Sequence, residues 1–121
     1  LAAAEAVLTL RAAHSDVRLV AVVPFRGQEE RFSPADRVRF LRAVAAADEV
    51  EVLAGGYRRG CYAVRNDFLV DRAALVVAWY DGSPGGTRYT LRRALARGRE
   101  VWNLHPSGGG LAIRPVQPAL F

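Results

Sequence analysis

The sequence contains no methionine, no lysine and only one cysteine, Cys61. A single cysteine excludes an intrachain disulfide framework and fits a reducing compartment, so a cytoplasmic location is expected. No apolar run approaches the roughly 20 residues that a bilayer-crossing helix needs, and no signal peptide is recognisable, so no membrane partner is expected. Without methionine there is no initiator. The segment Leu1-Ala2-Ala3-Ala4-Glu5-Ala6-Val7-Leu8 reads as helix interior with no capping residue ahead of it. We therefore expect the domain to be N-terminally incomplete. All 17 basic residues are arginine, a choice that a GC-rich genome accounts for. Cys61 has no histidine near it in sequence, and His14 and His105 lack zinc-ligand spacing, so neither a catalytic thiol nor a metal site is expected.

At 121 residues the chain has the length of one domain with a single core. Its apolar share of 51% is ample for burial and its charged share of 24% is ordinary. The net charge of +5 favours an anionic partner, from phosphate to nucleic acid, without choosing among them.

Strand and helix signals alternate along the chain. Residues 1–13 form an Ala- and Leu-rich helix, and residues 17–23 an apolar strand ended by Pro24. Ser33-Pro34 starts a second helix, with Ser at the cap and Pro at the first helical position. That helix is expected to run to about Ala47 with Val38, Leu41, Val44 and Ala45 on its apolar face. Residues 50–53 form a short strand, Gly55-Gly56 a turn, and residues 62–72 a helix presenting Phe68 and Leu69 to the core. Residues 75–80 form a near-continuous apolar strand, 88–97 a helix, and 100–104 the last strand. This order predicts an α/β, Rossmann-like three-layer sandwich: a mainly parallel sheet of about four strands with helices on both faces. Residues 1–104 are expected to form this domain and residues 105–121 an irregular tail, rich in Gly and Pro. Ligands of such sheets bind beyond the carboxyl ends of the strands. Pro24-Phe25, Gly55-Gly56-Tyr57, the run from Asp81 to Thr87, and His105 then share one rim.

The segment Asp81-Gly82-Ser83-Pro84-Gly85-Gly86-Thr87 carries the strongest functional signal, because it joins a strand directly to a helix start. The first-turn N–H groups of a helix lack intrahelical partners, and the helix dipole favours negative charge there. Gly85 and Gly86 let the main chain approach a phosphate, and Thr87 either caps the helix or offers its hydroxyl. The plainer alternative is that the glycines only turn the chain.

Three motifs in order resemble one family. Pro24-Phe25-x-x-Gln28-Glu29-x-x-Phe32, then Arg65-Asn66-Asp67-x-x-x-Asp71, then D-G-x-x-G-G-T at residues 81–87 resemble the YpsA-like branch of the SLOG superfamily. That superfamily also includes the DprA/Smf proteins and the LOG-type, "lysine decarboxylase-like" phosphoribohydrolases. The resemblance covers residues 1–104 and implies a Rossmann-like fold with a nucleotide or nucleotide-derived ligand at the glycine turn. It also implies an earlier strand and Gly-rich loop before the first helix, with Glu5 on the helix that follows that loop. The phosphoribohydrolases carry an Arg-Lys pair followed by P-G-G-x-G-T-x-x-E. Here Arg65 matches their Arg, Asn66 replaces their Lys, and Thr90 stands where their Glu belongs. Cleaving an N-glycosidic bond calls for a carboxylate that steadies the oxocarbenium-like centre or activates water, which threonine cannot supply. No catalytic residue is therefore assigned.

The resulting reading is a cytoplasmic sensor or regulatory domain that binds a small phosphate-containing ligand, with no required cofactor and no metal. Arg65, Asn66, Asp81, Gly82, Ser83, Gly85, Gly86, Thr87 and Phe25 are the candidate ligand-binding residues. Arg65 either forks onto phosphate or pairs with Asp67 or Asp71. Asn66 either reads base or ribose or takes a helix-capping or solvent-facing role, and Asp81 either accepts from ribose hydroxyls or closes an Asx turn. Phe25 either stacks on a base or joins the core. The alternative functions are a nucleotide phosphoribohydrolase and a DprA-like single-stranded DNA-binding module, the latter served by Tyr57 with Arg58-Arg59. The first helix also offers a surface for a homodimer.

Overall fold

Ser33-Pro34 starts a helix as its chemistry dictates. In the computed structural model, which describes residues 1–107 and 114–115, the Ser33 hydroxyl accepts from the Asp36 amide at 3.2 Å and Pro34 occupies the first turn. The elements in order are α1 (Ala2–Ala13), β1 (Val20–Val23), a 3-10 turn (Gln28–Arg31), α2 (Pro34–Ala46), β2 (Glu49–Val52), α3 (Cys61–Arg72), β3 (Leu75–Ala78), α4 (Gly86–Ala96), β4 (Glu100–Asn103) and β5 (Arg114–Pro115). Helices and strands alternate and every strand pairing is parallel, which makes this an α/β, Rossmann-like arrangement. Among the described residues no helix is long and apolar enough to cross a membrane. Of the tail expected to be irregular, residues 108–113 and 116–121 lie outside the described residues, and Arg114–Pro115 pair with β4 as a two-residue strand.

The chain divides into two compact units, residues 1–61 and 62–121. In the first, β1 and β2 pair with Val20 opposite Glu49 and Val23 opposite Val52. Leu19, Val23, Phe25 and Ala43 are buried. The expected apolar face of α2 is corrected here: Val38 is 54% and Leu41 49% exposed, and Ala43 is the buried position. Phe40 instead meets Phe32 edge to face at 5.5 Å, so the aromatic pair, offset from the Val38–Leu41 stripe, sets which side of the helix turns inward. Ionic ties join elements of this unit. Glu5 on α1 binds the Arg39 guanidinium of α2, one contact being 3.2 Å. Asp48, just ahead of β2, accepts from the Leu19 amide at 2.7 Å and from Arg11 at 2.9 Å.

In the second unit, β3 and β4 pair with Leu75 opposite Glu100 and Ala78 opposite Asn103. Val70, Tyr80, Leu91, Ala94 and Val101 form the core, with Val76 and Ala78 against them. Two expectations change. Val70, not Leu69, is the α3 residue that reaches the core, because the single-residue step along the helix turns Leu69 to solvent. β3 is not buried on both faces: Val76 and Ala78 point inward while Val77, at 56% exposure, points out. A run of apolar residues gives no period from which one-sided burial could be read.

The Asp48 tie generates a pH prediction for the first unit. The Leu19 amide, and then Arg11, hold its carboxyl below the ordinary value of about 4. Because the folded value lies below the unfolded one, this stabilisation is complete above about pH 4 and is lost as the pH falls through the folded value. In denaturant titrations at pH 7 and pH 3, wild type should lose more stability on acidification than Asp48→Asn. Equal losses in the two proteins would refute the assignment.

Candidate functional site

The site begins with the way β3 ends. Tyr80 is buried, and its backbone is gripped on both sides by Asn103 at the end of β4. The Asn103 side-chain oxygen accepts from the Tyr80 amide at 3.0 Å, and its NH₂ donates to the Tyr80 carbonyl at 3.0 Å. The same oxygen accepts from the His105 amide at 3.1 Å. Two amides converging on one atom fix the orientation of the side-chain amide. Asn103 is 1% exposed, so each of these groups depends on it rather than on water.

Beyond Tyr80 the chain turns. The Asp81 carboxylate accepts from the Ser83 amide at 2.9 Å and from the Ser83 hydroxyl at 2.6 Å, an Asx turn that leaves Gly82 at φ 98°. The Ser83 hydroxyl, then its amide, hold the Asp81 carboxyl below the usual carboxylate range. Of the two roles open to Asp81, the structure displays the turn. Gly85 follows at φ 141° and ψ −162° and forms the N-cap of α4. No side chain caps that end, and the first α4 bond runs from the Tyr89 amide to the Gly85 carbonyl at 3.1 Å. The amides of Gly86, Thr87 and Arg88 therefore precede the helical ladder. Thr87 lies inside the first turn rather than at the cap.

An open pocket of about 510 Å³ lies at this end of α4. It is walled by α3 (Tyr62, Arg65, Asn66), by β3 and its exit (Val76 to Trp79), and by the first turns of α4 (Gly86, Thr87, Thr90, Leu91). The Arg65 Nε–H donates to the Asn66 side-chain oxygen at 2.8 Å, so the pair acts as one polar unit. Thr90 donates its hydroxyl back to the Gly86 carbonyl at 2.9 Å. Asp67 and Asp71, the other candidate partners of Arg65, are engaged by α4: Asp67 accepts from Tyr89 at 3.0 Å, and Arg93 bridges both carboxylates.

Four of the sequence-derived candidates, Arg65, Asn66, Gly86 and Thr87, thus line one pocket. Asp81, Gly82 and Ser83 build the turn that precedes it. Gly85 borders a different groove, on the outer side of α4. Phe25 is 3% exposed within the first unit, edge-on to Tyr57 at 5.6 Å, and so takes the core role of its two alternatives. Cys61 is a free, buried thiol. Sequence reasoning passed over Asn103, Trp79 and Tyr62. Trp79 had a signal, as a large aromatic one residue past the strand and immediately ahead of the glycine turn. Asn103 had none, because an asparagine at a strand end is ordinary until its partners are known.

Parallel strands alternating with helices, and a glycine turn feeding an uncapped helix, define a Rossmann-like α/β protein. The YpsA family model, described as the YspA SLOG family, matches residues 1–103, and the chain belongs to this family. It is 29% identical over 111 residues to the "Uncharacterized SPbeta prophage-derived protein YoqJ" of Bacillus subtilis (strain 168), covering 80% of this chain and 65% of that protein. It is 31% identical over 98 residues to a UPF0398 protein of Halalkalibacterium halodurans, covering 78% of this chain and 52% of the relative. A UPF0398 protein of Bacillus cereus (strain B4264) is 27% identical over 106 residues, covering 85% of this chain and 57% of the relative. The chain therefore spans about half to two-thirds of the length of these curated relatives.

Asn103 yields the test of this geometry. Asn103→Leu leaves the Tyr80 amide and carbonyl and the His105 amide without their partner. It should lower unfolding free energy by roughly 2–4 kcal/mol, measured by denaturant titration. A loss below about 0.5 kcal/mol, the range of ordinary surface substitutions, would show that Asn103 does not hold the turn.

Proposed function

We propose that this chain binds a nucleotide or nucleotide-derived ligand, with its phosphate seated on the first turn of α4 and against Arg65, and that it serves as a cytoplasmic sensor or regulatory domain. One observation carries the reading: Arg65 and Asn66 line the same open pocket as Gly86 and Thr87 at an uncapped helix N-terminus. Amides without intrahelical partners, a positive dipole end and a guanidinium on one wall together suit a phosphate. The pocket volume of about 510 Å³ lies in the range of small-molecule sites. Turnover is disfavoured by the same wall. Among the described residues none that lines the pocket carries a carboxylate, and Thr90, at the position of the hydrolase Glu, returns its hydroxyl to its own helix.

Titration calorimetry with AMP tests the proposal. Wild type should bind and release no adenine, as followed by chromatography. Arg65→Ala should weaken binding by roughly 10- to 100-fold, the worth of a charged hydrogen bond. Release of free base would overturn the sensor reading in favour of an enzyme, and unchanged affinity in Arg65→Ala would remove the phosphate site.

A second reading, contact with single-stranded nucleic acid, is supported by the outer groove of α4. That helix carries Arg88, Arg92 and Arg93 and no acidic residue, and Arg97 follows at its C-cap. Arg93 meets Asp67 at 2.9 Å in ion-pair rather than hydrogen-bond geometry, and Arg97 lies 3.7 Å from Asp71. Arg88 and Arg92 stand one turn apart along the same groove, and the Arg88 Nε is buried without a hydrogen-bond partner among the described residues. Two such cations on a phosphate chain predict a log–log salt slope of about −1.4 for an oligothymidylate, reduced by about half in Arg92→Ala. A flat salt dependence would eliminate this reading.

A further inference from the structure

We infer that Trp79 is the platform on which the ligand's base stacks, so that the pocket selects nucleotides over sugar phosphates and tolerates different bases. The inference rests on the nucleotide reading of this pocket and adds to it the residue that recognises the base and the manner of recognition.

Three observations carry it. First, Trp79 is 67% exposed, although it stands one residue past β3 and beside the buried Tyr80. An indole left this open forfeits the burial that usually accounts for its presence. Second, it lines the same pocket as Arg65 and Thr87, so it borders the space available to a phosphorylated ligand. Third, its orientation is braced: the His105 imidazole meets it in a T-shaped contact at 4.9 Å with planes 70° apart. His105 is itself held, its amide by Asn103 and its Nδ1 by the Ser107 amide at 3.1 Å. A braced indole loses little side-chain freedom when a second ring docks on it, which favours stacking.

The manner of recognition follows from the remaining polar groups. The Arg65 Nε–H is turned to Asn66, and the Thr90 hydroxyl is committed to Gly86. The strand wall is aliphatic, from Val76 to Ala78. That strand wall offers no side-chain donor or acceptor to the hydrogen-bonding edge of a base, whereas every base offers a π-face. Purines should bind more tightly than pyrimidines through their larger stacking area, with adenine and guanine nearly equal.

The test compares AMP, GMP, CMP and ribose 5-phosphate by titration calorimetry on wild type, Trp79→Ala, Trp79→Phe and Arg65→Ala. Wild type should bind AMP roughly 5- to 150-fold more tightly than ribose 5-phosphate, the span expected of one stacked base. Trp79→Ala should reduce AMP affinity to the ribose 5-phosphate level and leave ribose 5-phosphate itself unchanged, and Trp79→Phe should restore most of the difference. Because Trp79 is largely outside the core, these variants should keep the wild-type circular dichroism and melting temperature. Equal affinity for AMP and ribose 5-phosphate, or AMP binding indifferent to Trp79→Ala, would overturn the platform while leaving the phosphate site standing. Failure of wild type to bind any of the four ligands would overturn both. A preference for one purine of more than 100-fold would refute recognition by stacking.

Discussion

The geometry of the second unit depends on one buried asparagine. β3 must stop, reverse and deliver its chain to α4, and at that point the ladder to β4 can no longer satisfy the Tyr80 backbone. Asn103 takes over. Its side-chain amide presents an acceptor and a donor side by side, as a neighbouring strand would, and holds both polar groups of Tyr80 at 3.0 Å. An apolar residue would leave those groups stranded away from water, and a longer polar residue would not reach them in register. Because the same oxygen also holds the His105 amide, the exits of two parallel strands are pinned by one residue. The turn from Asp81 to Gly85 therefore starts from a fixed place.

From that anchor the pocket assembles from inexpensive parts. The Asx turn of Asp81 and Ser83 directs the chain, Gly85 admits a backbone angle no other residue accepts readily, and α4 begins without a side-chain cap. α3 contributes Arg65 and Asn66 on one wall, and its Asp67 and Asp71 balance cations on α4. The carboxylates of Asp67 and Asp71 on the same helix are thus engaged by α4, and the Arg65 Nε–H donates to the neutral Asn66 amide.

Much of this was legible before any coordinates. Ser33-Pro34, the glycine turn and the alternation of apolar and polar segments each have a local physical cause, and the helices begin within two residues of their expected starts. Arg65 and Asn66 joined the glycine turn as candidates through the family resemblance, and strand polarity, which places the N-terminal half of α3 at the end of β3 where α4 begins, is the physical reason they line one pocket with Gly86 and Thr87. What stayed hidden was non-local. Whether Val77 or Val76 faces inward depends on which side receives α4, and an unbroken apolar run does not encode it. Asp81 offered two equally reasonable partners, and Ser83, two residues on, was the nearer. Phe25 was a site candidate from its position past a strand and is instead packed against Tyr57. Asn103 and Trp79 acquire meaning only from what they touch.

The backbone at Gly85 carries a consequence of its own. A Cβ built there meets nothing within 4 Å, so glycine is not required for lack of room. It is required by handedness: φ 141° with ψ −162° is a basin closed to L-residues by contacts within their own peptide unit. Reflected, those angles are the ordinary extended conformation. A D-alanine introduced by chemical ligation would rest there unstrained and stiffen the approach to α4, whereas its mirror image would force the chain onto a different path. The aim of the helix amides is in this sense a stereochemical property of a residue that has no stereocentre.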